Sequence, residues 1–248
     1  MQQSTAAIPG VPRERMSRWT HQRLFFSGMA IVAAATVLLG FAPTYFLRAL
    51  GGRPALSPLV HVHGALYTAW IVLLIVQTNL AATGRIGLHR KLGMGGGALV
   101  IGMLVTGYAV AIEAGRHWIS MPGQFVPGSL QFFIVPLGGL VVFGSFVGAG
   151  FWLRHRPEFH RRFMLLATIE LLNAAIDRLP GVGANGLAPF YLGTDAFLLA
   201  LVIYDLAVLR RLHPATLFGG AFLIGAQVLR VLVADTVEWL AVARWLTT

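Results

Sequence analysis

Eight histidines, nine carboxylates and no cysteine bound the chemistry open to this chain. His63 is the most suggestive of them, in the stretch HVHGALYTAWIVLLIVQTNL (residues 61–80). Neutral imidazole is a ligand for haem iron and for zinc. His63, Tyr67, Trp70, Leu74 and Gln77 recur at steps of four and three, which places them on one stripe of a helix. A helix facing only lipid has no use for such a stripe, so this face is expected to look into a bundle, with the other helices arranged around it. His63 as an axial ligand, Tyr67 and Trp70 as aromatic packing and His117 as the second ligand would make a haem b site. His61 is excluded from it, because two residues turn a helix by about 200°, and it reads as a polar residue at the membrane interface. The alternative for the same histidines is zinc, held by His63, His117 and an outer acid while a second carboxylate activates water. No HExxH pattern accompanies them.

A second set of polar residues interrupts apolar runs. Glu170, Asn173 and Asp177 share one helix face, and Gln227 and Arg230 share another. Ionisable groups at such positions are costly and face a bundle interior or cavity. At about 1.5 Å per residue, counted from the inner ends of the helices, Arg230 lies about 22 Å up, Asp177 about 25 Å and Glu170 about 15 Å. Asp177 is therefore the expected partner of Arg230, with Glu170 second. His63, Tyr108, Glu113, Asp177, Asp195 and Arg230 fall in one outer layer. Together with Glu170, Asn173 and Gln227, these acidic and polar groups predict a buried network lining a pocket that opens outward. The simpler reading is an Arg230–Asp177 pair as structural glue with the rest at the interface.

The elements that must position these residues are membrane helices. Hydrophobic residues make up 56% of the 248 and charged residues only 11%, against about 25% in a soluble domain. Seven apolar spans are predicted, over residues 24–47, 58–82, 92–114, 130–153, 163–179, 190–209 and 215–234. A cytoplasmic tail (1–23) precedes this membrane domain (24–234), and an interfacial amphipathic segment (235–248) follows. The second span opens on Ser57-Pro58, a capping residue followed by a first-turn proline. The loop over residues 121–128 is rich in Pro and Gly. The net charge of +10 does not imply nucleic acid, because the arginines cluster between apolar spans. With the amino end inside, thirteen of the 19 Lys and Arg residues are cytoplasmic, five are outside, and Arg230 lies in the seventh span. That split predicts an amino end inside and a carboxyl end outside. A retinal protein is excluded, since the one lysine, Lys91, sits in an inner loop.

The inner loops carry a repeat: His21-Gln-Arg, His89-Arg-Lys, His160-Arg-Arg and His213-Pro precede the first, third, fifth and seventh spans. Cations at a helix start oppose the macrodipole, so these motifs serve either lipid phosphate and the positive-inside bias or a shared inner cofactor or anion site. The motifs LHRKLG (residues 88–93) and FHRRFMLLAT (159–168) resemble those of uncharacterised bacterial multipass membrane proteins, which implies a bacterial plasma-membrane location without assigning an activity. The histidines near helix ends are similar to those of b-type membrane cytochromes. That resemblance implies His63, and His117 or the inner histidines, as haem ligands.

Three functions follow as expectations. One is a haem b protein for membrane electron transfer, with quinone or other membrane subunits as partners in the bilayer. Another is a metal-dependent membrane hydrolase. The third is a cofactor-free partner subunit or a conductor of protons or small solutes, using Glu170, Asn173 and Asp177 as relay.

Overall fold

Helix starts in this chain are set by local chemistry. Ser57 accepts a hydrogen bond from the Val60 N–H (3.4 Å), and Pro58 occupies the first helical position, where its missing N–H costs nothing. His213 caps another helix in the same manner, its Nδ1 accepting from the Ala215 N–H (3.1 Å) ahead of Pro214. Thr236 caps the last, accepting from the Trp239 N–H (3.2 Å).

The computed structural model describes residues 13–52, 54–118, 129–179, 182 and 187–248. The start of the polar tail, Arg53 and the Pro/Gly-rich loop over 121–128 lie outside the described residues. Those described form eight α-helices and no strand: α1 (Arg13–Phe41), α2 (Pro58–Ala82), α3 (Ile86–Trp118), α4 (Ile134–Trp152), α5 (Pro157–Ile176), α6 (Leu187–Tyr204), α7 (Pro214–Ala234) and α8 (Val237–Thr247). π-helical turns extend α1 (Ala42–Phe46) and α6 (Asp205–Leu209). Among the described residues six helices are long and apolar enough to cross a membrane: α1 to α4, α6 and α7. Their outward faces are apolar, with Leu39, Met94, Phe218 and Leu232 exposed. In water such a surface would be an aggregation site, whereas hydrocarbon solvates it. The protein is a multi-pass, all-helical membrane protein.

The helix that organises the bundle is α5, and not α2 as its stripe suggested. It packs against α1, α4, α6 and α7, and Trp70 of α2 reaches it through a hydrogen bond from Nε1 to Thr168 Oγ1 (3.2 Å). Eleven of its 20 residues are buried, against Trp70, Ile71 and Leu80 in the 25 residues of α2. Four charged side chains keep α5 out of the apolar set. They are tolerable because neighbouring helices, and not lipid, surround it. The approach to α1 is close at Gly40, where any Cβ would collide with the Ala175 carbonyl.

Candidate functional site

The sequence repeat at the helix starts becomes one place in the structure. The starts of α5 and α7, the end of α6 and Gln22 of α1 meet around Arg162, which is fully buried. Its Nε and Nη2 donate to Asp205 Oδ1 (3.2 and 2.5 Å), and its Nη1 donates to Glu158 Oε2 (2.8 Å). Asp205 Oδ2 accepts from Thr216 Oγ1 and from the His213 N–H. That carboxylate thereby closes the α6–α7 turn, whose Arg210 adopts the left-handed conformation (φ 57°). Gln22 of α1 donates to both oxygens of Glu158 (3.0 and 3.1 Å), and Arg161 adds an ion pair. The Gln22 amide and the Arg161 and Arg162 guanidiniums together meet the charge of the half-buried Glu158 carboxylate. This network was not foreseen from the sequence, which counted Arg162 as an inner-loop charge. The i, i+4 spacing of Glu158 and Arg162 was the available signal.

Beside this knot stand two histidines from different helices. The rings of His89, on α3, and His160, on α5, have centres 6.1 Å apart and planes at 87°. His160 Nδ1 lies 2.8 Å from the Gly150 carbonyl. Because a carbonyl only accepts, Nδ1 carries the proton and Nε2 keeps its lone pair. Gln77, the inner end of the α2 stripe, donates to the His89 carbonyl (3.1 Å). Gln77 Oε1 and His89 Nδ1 are buried and make no hydrogen bond.

A different cluster fills the space between α4, α5, α6 and α7. Arg230 pairs with Glu170 at 2.9 Å, both almost fully buried. Asp177 is not the partner, which corrects the expected pairing. The error lay chiefly in the inner end assumed for α5. That helix starts earlier, at Pro157, and α7 starts at Pro214, which puts Glu170 at about 20 Å and Arg230 at about 24 Å, within reach of an arginine side chain. Gly138 and Gly139 of α4 make room, since a Cβ at either would press on Arg230 or Glu170. Asn173 donates to the Glu170 carbonyl and accepts from Thr194 Oγ1. Gln227 donates to Asp195 Oδ1 (3.0 Å). So Glu170, Asn173, Asp195, Gln227 and Arg230 are brought together, with no histidine among the residues that bond within the cluster.

His63 lies elsewhere. Its ring stacks on Tyr67 (4.1 Å), its Nδ1 is buried without a hydrogen bond, and Arg178 is the charge that faces it. Tyr67 donates to the Met103 carbonyl, Trp70 packs edge-on against Phe143, and Arg178 sits over the Phe41 ring (4.8 Å). Asp177 makes no ion pair among the described residues, and its Oδ1 is buried without a hydrogen bond. With Tyr67 level with Met103, His63 is level with about residue 107. His117 is ten residues farther along α3, about 15 Å away. It lies 2.8 Å from the Glu113 carbonyl, where the end of α3 meets α8 at Gly115 and Thr247. His63, His117 and Glu113 are thus not gathered at one point. Tyr108 is exposed, and the single outer layer divides into a His63 side and an Arg230 side. Among the described residues no three His, Asp or Glu side chains form a metal-holding group.

No protein-family model, curated protein or solved structure matches this chain. Its geometry alone must carry the functional reading.

Proposed function

We propose that the protein is a bacterial plasma-membrane protein of seven crossings, amino end cytoplasmic, that holds haem b between α3 and α5 and serves electron transfer to a lipid-soluble partner such as a quinone. The observation that carries this reading is the pair of imidazoles, His89 and His160, facing each other from two helices. Their ring centres lie 6.1 Å apart, and these two side chains would hold the iron through imidazole nitrogens. Bound there, haem would supply one-electron chemistry, tuned by its axial ligands and burial. The protein's own contribution is orientation: the Gly150 carbonyl fixes the His160 tautomer so that Nε2 is the free ligand atom. Arg90, Lys91 and Arg161 adjoin the pair in sequence and offer counter-charge for propionates, which gives the repeated His-Arg motif a purpose. The seventh crossing is α5, whose charges are met by its neighbours. The ligand pair moves from His63 and His117 to the cytoplasmic side. The zinc-hydrolase alternative lacks the three-donor group it would need among the described residues.

The test is spectroscopic. Detergent-purified protein from haem-replete cells is expected to be coloured, with bands that sharpen on adding dithionite. His89→Ala and His160→Ala should each abolish the bands or change the spin state, while His117→Ala leaves them. Haem that ignores both inner histidines, or a colourless preparation, refutes this reading; stoichiometric zinc in a colourless preparation would favour the hydrolase.

A further inference from the structure

Between α2 and α3 runs a groove of about 860 Å³. Tyr45 and Phe46 close one end, Leu92 lies at the other, and the small residues Ala65, Ala69 and Gly95 line its length. A Cβ at Gly95 would meet nothing within 4 Å, so the space above that residue is open. From Ala65 to Val76 the groove is about 16 Å long, close to half of a hydrocarbon core of about 30 Å. No charged side chain lines it. That is the shape and chemistry of a seat for one acyl chain.

The rim turns polar where α2 passes into α3. Asn79 follows Val76 by three residues on the same helix face, Lys91 precedes Gly95 by one turn, and Arg85 precedes Leu92 by two. All three polar residues are exposed, and neither cation makes an ion pair among the described residues. The chain has no carboxylate to offer them: none lies between Glu14 and Glu113. Glu158 and Asp205 are already held by Arg161 and Arg162. An apolar groove ending in unpaired cations matches an amphiphile with an anionic head.

We infer that this groove is a site for one anionic phospholipid, its acyl chain lying along α2 and α3 and its phosphate held by Arg85 and Lys91 with Asn79 beside it. A zwitterionic lipid carries its own cation to the rim. A second copy of the chain, related by a two-fold axis along the bilayer normal, would bring the same cations to the same depth. Neither supplies the missing negative charge. The site does not depend on haem, and Arg90 and Arg161 remain beside the histidine pair.

Detergent-purified full chain, washed free of excess lipid, provides the test. Native mass spectrometry is expected to find one phosphatidylglycerol retained per chain in preference to phosphatidylcholine. Adding phosphatidylglycerol should raise the melting temperature by several degrees, and phosphatidylcholine should not. Gly95→Leu fills the groove and should abolish both retention and shift, without lowering the melting temperature of the lipid-free protein. Arg85→Gln with Lys91→Gln should erase the preference for phosphatidylglycerol, which keeps the test open should the Gly95 variant not fold. Arg210→Gln with Arg211→Gln, exposed at a different turn, should leave that preference intact. Equal response to the two lipids overturns the site, as does tight retention in a folded Gly95→Leu protein. Equal losses in the two arginine variants would mean a diffuse basic surface, and stabilisation by sodium phosphate alone would mean a free anion; either overturns it too. His160→Ala should lose haem and keep the lipid response, so failure of the haem reading leaves this site standing.

Discussion

Arg230 and Glu170 show how much a single buried pair commits the chain. Both side chains are almost fully buried, and the pair fits only because α4 presents Gly138 and Gly139 to it. Removing one partner of a buried ion pair strands the other, at a cost of about 3–5 kcal/mol, whereas replacing both by apolar groups costs far less. Arg230→Leu alone is therefore expected to lower the melting temperature of the purified protein more than Arg230→Leu with Glu170→Leu. Additive losses in that cycle would mean the two side chains are independent, and a similar cycle with Asp177→Leu should be additive. From the sequence, Arg230 was legible as a buried cation in need of a carboxylate. Which carboxylate answered depended on where α5 and α7 begin. For Arg162 the spacing to Glu158 was legible but the burial against Asp205 was not, because an arginine in a basic loop looks the same whether it faces cytoplasm or Asp205.

At the scale of elements, α5 decides the architecture while looking least like a membrane helix. Hydropathy marks the helices that face lipid, and those are α1 to α4, α6 and α7. A helix ringed by four others escapes that criterion, since protein partners meet its Glu and Arg side chains. Its contact with α1 depends on Gly40, whose position admits no Cβ without shifting the Ala175 backbone. Gly40→Val should force α1 and α5 apart and destabilise by about 1–3 kcal/mol, the usual range for overpacking. Gly28→Ala, in the same helix with nothing within 4 Å of the new methyl, should be neutral or slightly stabilising. Equal melting temperatures for the Gly40 variant and the wild type would remove the close α1–α5 contact from the account. The stripe on α2 was read correctly as facing inward at Trp70 and Gln77. Its rank in the bundle was not, because periodicity shows which face is buried and not how many neighbours bury it.

For the whole molecule, the starts of α5 and α7 converge with Gln22 of α1 on the Arg162 knot, and the start of α3 lies beside it through His89. If the helices run up and down in order, alternate helix starts fall at one end, and the excess of Lys and Arg there predicts that this end faces the cytoplasm. Reporter fusions at Gly87 and Pro157 should read cytoplasmic and one at Thr248 external. A cytoplasmic signal from Thr248 would mean an even number of crossings, and α5 would then not be the seventh. The amphipathic α8 lies against the far end of α3, at Gly115 and Thr247.

The sequence by itself determined the class of this protein. Apolar runs of about 20 residues, sparse charge and basic loops leave the chain no stable fold outside a bilayer, and Ser57, Pro58 and Pro214 fix helix starts through contacts within a few residues. It also exposed the repeated histidines and the buried polar faces, because their spacing is a local property. Tertiary structure alone decided that His89 meets His160 while His63 and His117 stay about 15 Å apart, that Arg230 takes Glu170, and that Arg162 is sealed against Asp205. Each of those is a relation between helices. It depends on helix start, rotation and neighbour, and a shift of one residue turns a side chain by about 100°. No single helix carries that information in its own periodicity.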